Sequence, residues 1–256
     1  MDINEKVAVI TGGASGLGEA TARHYISLGA RVAIFDMNRE RGSELVAELG
    51  SKARYFDVDV TSADSVEREV SNVIELFGSI HVVNNFAGIG TATKTISKDG
   101  PGDYDLFKKV IDVNLNGTFN VCRVAAYEMS KNEPIGESGS RGVIINTASV
   151  AAFEGQIGQA AYSASKGAIV GMTLTLARDL ARNGIRVNTI APGLIHTPLF
   201  DALPDEVYKS LEGQVLFPQR LGQASEIAHV AQMLVENDYM NGETVRMDGG
   251  IRMQAR

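Results

Sequence analysis

The amino-acid sequence predicts an α/β protein of a single domain, with helices on both faces of a seven-stranded parallel sheet. This arrangement is a three-layer, doubly wound sandwich. Two observations support the prediction. Short runs of β-branched residues alternate along the chain with longer amphipathic segments, and a length of 256 residues is ordinary for one α/β domain.

Seven segments have the length and composition of strands, and a parallel arrangement is expected because helical segments separate most of them. The predicted strands are Val7 to Thr11, Arg31 to Asp36, Ala53 to Val58, Ile80 to Asn84, Gly142 to Ala148, Ile185 to Ile190 and Thr244 to Met247. The predicted helices are Gly16 to Leu28, Glu40 to Leu49, Ala63 to Phe77, Tyr104 to Met129, Ala160 to Arg182 and Ser225 to Val235. Gly, Pro, Ser and charged residues predict two exposed loops, Gly90 to Asp103 and Lys131 to Arg141.

The composition favours a small-molecule partner. With 24 basic and 31 acidic residues the net charge is −7, which does not indicate binding to nucleic acid or to an anionic membrane. Cys122 is the only cysteine, so an internal disulfide and a cysteine-based zinc site are excluded. The four histidines are too scattered for a local metal motif, and we expect no metal.

The sequence also bears on location. It has no apolar run near the ~18 residues that a transmembrane helix needs. The first residues resemble neither a signal peptide nor a transit segment, and the single cysteine fits a reducing compartment. We therefore expect a cytoplasmic protein, or a protein of the mitochondrial matrix in a eukaryote.

A glycine-rich turn follows the first predicted strand and opens the first predicted helix. It reads Thr11-Gly12-Gly13-Ala14-Ser15-Gly16-Leu17-Gly18. Glycines allow the backbone to approach a ligand closely, and free N–H groups at a helix N-terminus attract a pyrophosphate. The spacing is Gly-x-x-x-Gly-x-Gly, so by itself it predicts only a turn.

The end of the second predicted strand makes a dinucleotide site more specific. Asp36 lies where a carboxylate accepts hydrogen bonds from the adenosine ribose and repels a 2′-phosphate, so NAD is favoured over NADP. Arg39 and Arg41 are close enough in sequence to meet a phosphate, but a solvated helix start explains them better. Together with the glycine turn, Asp36 predicts a Rossmann-type cofactor half at about residues 1–150 and a catalytic and substrate half at about 151–256.

Two further strand ends are predicted to line the same site. Asp59 and Val60 could hold the adenine edge, or Asp59 could simply start a turn. After the fourth strand, small residues and backbone would lie against the cofactor. These residues are Asn85, Phe86, Ala87 and Gly88.

Ser149, Tyr162 and Lys166 are candidate catalytic residues. Tyr162 and Lys166 are four residues apart, which places them on one face of a helix. A nearby ammonium lowers the pKa of a phenol, ordinarily about 10, and makes it a usable general acid/base. Ser149 ends the fifth strand, where its hydroxyl can donate to a substrate carbonyl oxygen. Asn114 lies within a predicted helix although asparagine is a mediocre helix former, so its side chain or a loosened backbone could carry a water.

The chain resembles the short-chain dehydrogenase/reductase family over essentially its full length. The residues of that resemblance stand in the family's order: the glycine turn, Asn-x-Ala-Gly at 85–88, Asn114, Ser149, Tyr162, Lys166 and Pro192-Gly193. The resemblance implies that Tyr162 is the general acid/base and that Ser149 orients and polarises the carbonyl. It also implies that Lys166 binds the nicotinamide ribose and that Asn114 supports a proton relay. By the same resemblance the nicotinamide end is held by Pro192, Gly193, Ile195 and Thr197.

One departure is Phe86, where the family usually has asparagine or another small residue; it would alter packing around the nicotinamide ribose. Within the family, three segments resemble the type 2 3-hydroxyacyl-CoA dehydrogenases: Asn132 to Pro134, Arg141 to Gln156 and Gly250 to Gln254. Both extra loops are also shared. This resemblance implies reversible oxidation of 3-hydroxyacyl-CoA by NAD, tolerance of steroid alcohols, and a homotetramer built on the two long helices.

Alternatives and substrate contacts remain open from the sequence. The chain could be a hydroxysteroid dehydrogenase, a 3-oxoacyl-carrier-protein reductase, or a non-catalytic NAD-binding scaffold or sensor. The carrier-protein enzymes normally prefer NADP, which Asp36 disfavours. Lys94 and Lys98 could meet coenzyme A phosphates or could be only solvated. Beside Ser149 and Tyr162, the residues that could line a substrate pocket or belong to the core are Phe153, Gln156, Gln159, Leu199, Phe200, Leu203 and Phe217.

Overall fold

The computed structural model describes residues 1–197 and 205–255. Its strands, in chain order, are β1 (Val7–Thr11), β2 (Arg31–Asp36), β3 (Ala53–Asp57), β4 (Val82–Asn85), β5 (Ile96–Ser97), β6 (Gly100–Pro101), β7 (Gly142–Thr147), β8 (Ile185–Pro192), β9 (Ile195–His196), β10 (Gly222–Gln223) and β11 (Thr244–Met247). The α-helices are α1 (Gly16–Ser27), α2 (Arg39–Leu49), α3 (Ala63–Phe77), α4 (Tyr104–Ile111), α5 (Thr118–Met129), α6 (Ala160–Leu180), α7 (Asp205–Glu212) and α8 (Ala224–Glu236).

The main sheet confirms the predicted fold. Its seven strands are all parallel and lie in the order β11-β8-β7-β4-β1-β2-β3. From β1 the chain builds the sheet outward through β2 to β3, then returns to place β4 on the other side of β1. A crevice forms outside the carboxyl ends of β1 and β4, where open α/β sheets bind their ligands.

The apolar core lies on both faces of this sheet. In β1, Val7 and Val9 face one cluster, while Ala8 and Ile10 face the other. Side chains alternate along a strand, so a strand covered by helices on both sides is apolar at every position. This is why the sequence of β1 reads as a continuous apolar run.

The structure corrects several predicted boundaries. The segment Tyr104 to Met129 is not one regular helix, because a π-helix at Asp112–Gly117 separates α4 from α5. The fourth strand begins at Val82 and not at Ile80, and the sixth predicted strand continues to Pro192. The other predicted ends agree with the structure or differ by at most two residues, which is the ordinary uncertainty of element ends.

The two predicted loops contain local order. The first carries an antiparallel hairpin of β5 and β6, and the second is closed by a bridge between Ile135 and Ser140. Among the described residues, no helix is both long enough and apolar enough to cross a bilayer.

Candidate active site

A cleft of about 490 Å³ opens at the carboxyl ends of β1, β2 and β4. Its volume lies within the usual range for small-molecule and cofactor sites. Most of the predicted cofactor residues line it: Gly12, Ser15, Gly16, Leu17, Gly18, Asp36, Asp59, Val60, Phe86, Ala87, Gly88 and Thr197. Sequence reasoning missed five others, namely Phe35, Met37, Val58, Ile89 and Val113. Met37 and Ile89 directly follow residues that the sequence predicts to bind the cofactor, Asp36 and Gly88. Val113 reaches the wall of the cleft only through the fold.

The glycine turn is packed too closely for larger residues. Gly12 has φ +61°, and a Cβ built on it would lie 2.9 Å from the backbone nitrogen of Ala87. A Cβ on Gly18 would collide with the Gly12 carbonyl oxygen and lie 2.8 Å from the Gly13 Cα. The helix α1 therefore begins against the turn, with its free N–H groups at the cleft. These features fit a dinucleotide pyrophosphate.

Asp36 is held at the edge of the cleft by the backbone. Its Oδ2 accepts a hydrogen bond from the Ala14 N–H at 3.0 Å, and its Oδ1 accepts one from the Asn38 N–H at 2.9 Å. The two nearby arginines are already paired with carboxylates. Arg39 contacts Asp57 at 2.9 Å, and Arg41 contacts Glu44, also at 2.9 Å.

Asp59 combines the two roles that its position allows. Its carboxylate accepts hydrogen bonds from the backbone N–H and the hydroxyl of Thr61, at 2.9 and 2.7 Å. Asp59 therefore stabilises a turn and also lines the cleft. The neighbouring Val60 is fixed by the Asn120 side chain, which donates to its carbonyl oxygen at 2.9 Å.

The sequence predicts that Asn85 lines the cleft, but in the structure it does not. Its side chain is buried, donating to Asn146 Oδ1 at 2.9 Å and to Cys122 Sγ at 3.4 Å. Asn85 still belongs to β4, where it pairs with Asn146 of β7, whereas Phe86, Ala87 and Gly88, which line the cleft, follow the strand. Burial also raises the pKa of the Cys122 thiol to about 12, so this thiol is not a nucleophile at neutral pH.

Gly88 joins the cofactor cleft to the predicted catalytic residues. A Cβ built on it would lie 3.2 Å from Asn114 Oδ1 and 3.6 Å from Lys166 Nζ. Tyr162 and Lys166 do not line the 490 Å³ cleft itself. They lie directly beyond Gly88 and Gly90, since a Cβ on Gly90 would lie 3.9 Å from the Tyr162 ring.

Asn114 lies in the π-helix and is fully buried. Its amide accepts from the Ile89 N–H at 2.8 Å and donates to the Ile89 carbonyl oxygen at 3.0 Å. It also donates to Ser165 Oγ at 3.0 Å. The predicted loosening of the helix is therefore present, because π-helical turns widen an α-helix and are frequent at functional sites. The side chain itself pins the segment after Gly88 to α6.

Ser149, Tyr162 and Lys166 meet at the carboxyl end of β7. Ser149 Oγ accepts from the Ala151 N–H at 3.1 Å, and its hydroxyl is close enough to the Tyr162 phenol to lower the pKa of that phenol through hydrogen bonding. Lys166 Nζ lies 5.8 Å from the centre of the Tyr162 ring and donates to the Thr147 carbonyl oxygen at 2.7 Å. A hydroxyl, a phenol and an ammonium are thus gathered beside the cleft.

Burial dominates the electrostatics of this group. It raises the pKa of Tyr162, while the hydrogen bond with Ser149 acts in the opposite direction. Desolvation, which disfavours the phenolate, therefore opposes the lowering of the Tyr162 pKa that is expected from Lys166. Burial lowers the pKa of Lys166 to about 8, so this amine remains mostly protonated at neutral pH.

The segment after β8 only partly borders the cleft. Thr197 lines it, and its Cγ2 would lie 3.6 Å from a Cβ on Gly16. Pro192 ends β8, and the Gly193 N–H donates to the Met247 carbonyl oxygen at 2.9 Å. Ile195 pairs with Gly222. Their predicted role at the nicotinamide end stays a prediction.

The predicted substrate residues are only partly gathered. Phe153 is half exposed, whereas Phe217 is almost fully exposed at 84% and is not part of the core. Gln159 accepts from the Gln156 N–H at 3.0 Å, on the loop before Tyr162. Leu199, Phe200 and Leu203 lie outside the described residues. The lysines of the first loop are exposed: Lys98 is in the hairpin, and Lys94 lines a second cleft of about 280 Å³ next to Ala161.

Comparison with known proteins defines the class. The family model for short chain dehydrogenase matches residues 6–207, so the chain belongs to the short-chain dehydrogenase/reductase family. Two relatives are named 3-hydroxyacyl-CoA dehydrogenase type-2: one from Bos taurus is 54% identical over 97% of this chain and 95% of its own, and one from Drosophila melanogaster is 50% identical over 98% and 99%. The crystal structure of 3-hydroxyacyl-CoA dehydrogenase type-2 from Mycobacterium avium has a TM-score of 0.94 and 40% identity, and the match covers 100% of both chains.

These findings confirm the predicted family and the predicted similarity to type 2 3-hydroxyacyl-CoA dehydrogenases. The protein is an oxidoreductase that acts on CH–OH donors with a nicotinamide cofactor. The catalytically idle scaffold or sensor is thereby set aside.

Proposed function

We propose that this protein reversibly oxidises the 3-hydroxyl of a 3-hydroxyacyl-CoA to a ketone, with NAD as the hydride acceptor. The observation that carries the chemistry is the group beside the cleft formed by the buried Lys166 and the partly buried Ser149 and Tyr162. The names of relatives that match nearly the whole chain support the substrate class.

The roles of the residues follow from their chemistry. Bound NAD would supply the hydride acceptor. Tyr162 takes the proton of the substrate hydroxyl, and Ser149 donates a hydrogen bond to the oxygen from which that proton leaves. The Lys166 ammonium stabilises the phenolate that burial alone disfavours. Asn114 keeps the backbone at Ile89 in place between the cleft and α6.

The function is tested by the absorbance of NADH at saturating cofactor with a panel of alcohols. The panel comprises 3-hydroxyacyl-CoA, 3-hydroxyacyl carrier-protein and hydroxysteroid substrates. We expect the highest kcat/KM with short or branched CoA thioesters and lower values with steroid alcohols. Failure to oxidise any CoA thioester would move the function to the steroid or carrier-protein alternative.

The cofactor preference is tested at Asp36. Asp36→Ala is expected to reduce the ratio of kcat/KM with NAD to that with NADP, because the carboxylate that accepts from ribose hydroxyls and repels a phosphate is lost. Asp36→Asn is the matched control: it removes the charge but retains a carbonyl oxygen, so NAD should be used better than by Asp36→Ala. An unchanged ratio in both variants would remove Asp36 from this role.

The contribution of the first loop is tested at its two exposed lysines. Lys94→Ala combined with Lys98→Ala should raise KM for a CoA thioester more than KM for an uncharged ketone, because loop cations attract phosphate. The difference should shrink as salt is added. Lys52→Ala combined with Lys131→Ala changes the net charge equally at lysines outside this loop and should leave both KM values unchanged. Equal effects on the two substrates would make Lys94 and Lys98 ordinary solvated side chains.

We further propose a homotetramer in a reducing compartment, either the cytoplasm or the mitochondrial matrix. Large apolar side chains on α5 and α6 are exposed, with Phe119 at 48%, Tyr127 at 65% and Leu174 at 46%. Phe119 and Tyr127 border a groove of about 340 Å³ between the two helices. Exposed apolar patches on a folded protein commonly mark interfaces. Light scattering coupled to size-exclusion chromatography tests the assembly.

A further inference from the structure

The loop of residues 153–159 joins the two sides of the catalytic group. Ser149 lies just before it, and its carbonyl oxygen accepts from the Ala152 N–H at 3.0 Å. At the other end, the Gln159 carbonyl oxygen accepts from the Ser163 N–H at 2.7 Å, directly after Tyr162. A Cβ on Gly155 would collide with Ser163 Oγ, so the loop packs against the start of α6. A shift of this loop would therefore move Ser149 relative to Tyr162.

Glu154 fastens the loop to the end of β11 through a forked ion pair. Arg246 Nη1 donates to Glu154 Oε1 at 2.8 Å, and Nη2 donates to Oε2 at 3.2 Å. Arg246 also contacts Asp248 at 2.7 Å, and Arg252 contacts Glu154 at 3.4 Å and Asp248 at 3.1 Å. The side chains of Glu154, Arg246 and Asp248 are 22%, 23% and 10% exposed. Forked, partly buried pairs are stronger than ordinary surface ion pairs.

The C-terminal segment adds backbone contacts to the same loop. The Met253 N–H donates to Glu154 Oε2 at 3.2 Å, and the Ile157 N–H donates to the Ala255 carbonyl oxygen at 3.0 Å. The Gln156 side chain donates to the Gln254 carbonyl oxygen at 3.1 Å. The pairing with Arg246, the Met253 N–H and the charge of Arg252 hold the pKa of Glu154 below its ordinary value, so Glu154 is ionised at neutral pH.

The same cluster reaches the segment after β8. A Cβ built on Gly193 would lie 2.8 Å from the Asp248 Cα, so these backbones are in direct contact. Asp248 is bound to Arg246, and Arg246 to Glu154. One chain of contacts thus runs from the predicted nicotinamide segment to the loop that connects Ser149 with Tyr162.

We propose that Glu154 is a positioning residue: with Arg246 it holds the loop of residues 153–159 so that Ser149 and Tyr162 keep a fixed geometry relative to Gly193. This role rests on the catalytic assignment proposed above. Misplacing a reacting group by about 1 Å can cost about a hundredfold in rate. The Glu154 side chain is bonded to Arg246, to Arg252 and to the Met253 N–H, and not to Ser149 or Tyr162, so it acts through the loop.

Glu154→Gln tests the role, because glutamine keeps the shape and removes the charge that holds the fork. We expect kcat to fall by about ten- to a hundredfold with the substrate that the wild type oxidises fastest, while NADH affinity is unchanged. Hydrogen exchange of the 153–159 amides should become faster. The matched control is Glu67→Gln, which breaks an inter-helical pair with Arg123 at 2.8 Å and should leave kcat, NADH affinity and exchange of this loop at wild-type values.

The outcomes separate this proposal from the proposed function. Exchange is measured without turnover, so it tests the loop even if no CoA thioester is oxidised. Wild-type kcat or wild-type exchange in folded Glu154→Gln overturns the proposal. A fall in kcat also overturns it if NADH affinity falls by the same factor, or if Glu67→Gln shows the same fall. If Glu154→Gln does not fold, Arg246→Lys replaces it, because lysine retains the charge but cannot form the fork. For Arg246→Lys we expect the same fall in kcat, the same unchanged NADH affinity and the same faster exchange of the loop. The outcomes that overturn the proposal are also the same.

Discussion

Replacing Tyr162 with phenylalanine is expected to lower kcat by roughly two to four orders of magnitude, the range for loss of a general acid/base. The substitution removes the phenolic oxygen, which accepts the substrate proton in its phenolate form, and keeps the ring that packs beside Lys166 and Gly90. NADH affinity and thermal stability should change little. Burial raises the pKa of this phenol, because the charged phenolate costs free energy in the protein. The phenol therefore does not stabilise the fold by its charge, and its removal loses no such stabilisation.

The measurement is steady-state turnover with the best substrate of the panel, accompanied by NADH fluorescence titration. Tyr239→Phe is the matched control, because that phenol is 99% exposed and the same atom is removed. Near-normal kcat in folded Tyr162→Phe would contradict the assignment of the general acid/base. A fall in kcat that occurs only together with lost NADH binding would make Tyr162 a cofactor contact instead.

Gly18→Ala is expected to weaken NADH binding by about ten- to a hundredfold. The added methyl group would collide with the Gly12 carbonyl oxygen and lie 2.8 Å from the Gly13 Cα, so α1 must move away from the turn. Overpacking of this kind costs about 1–3 kcal/mol, and each 1.4 kcal/mol is about tenfold in affinity. The displacement carries the free N–H groups of α1 away from the position of the pyrophosphate.

NADH affinity is measured by fluorescence titration, and the melting temperature without NADH reports any loss of stability. Gly171→Ala, in α6, is the control: a methyl group there meets no atom within 4 Å, and alanine favours a helix by up to about 1 kcal/mol. It should therefore bind NADH as the wild type does. Wild-type NADH affinity in Gly18→Ala would show that the glycine turn does not hold the cofactor.

The sequence predicts the fold and the family because their signals are local. The apolar run of β1, the glycine turn that follows it and the four-residue spacing of Tyr162 and Lys166 each depend on residues close together in the chain. Strand and helix periods make such signals readable without knowledge of the contacts. Asp36 is recognisable for the same reason, since it ends the strand that follows the glycine turn.

Other features depend on contacts between distant segments, and only the tertiary structure decides them. Asn85 stands in a cofactor motif, yet its side chain is buried against Asn146 and Cys122. The π-helix around Asn114 departs from a continuous helical pattern because that side chain bonds Ile89 and Ser165.

What the sequence by itself determined is therefore the seven-stranded parallel architecture, the family and the residue types of the catalytic group. The tertiary structure decided which of those residues lie together at the cleft and in which direction their pKa values shift. The pKa of Tyr162 shows the reason. Proximity to Lys166 predicts a lowered pKa, but the packing that brings them together also removes water, and desolvation raises the pKa of the phenol.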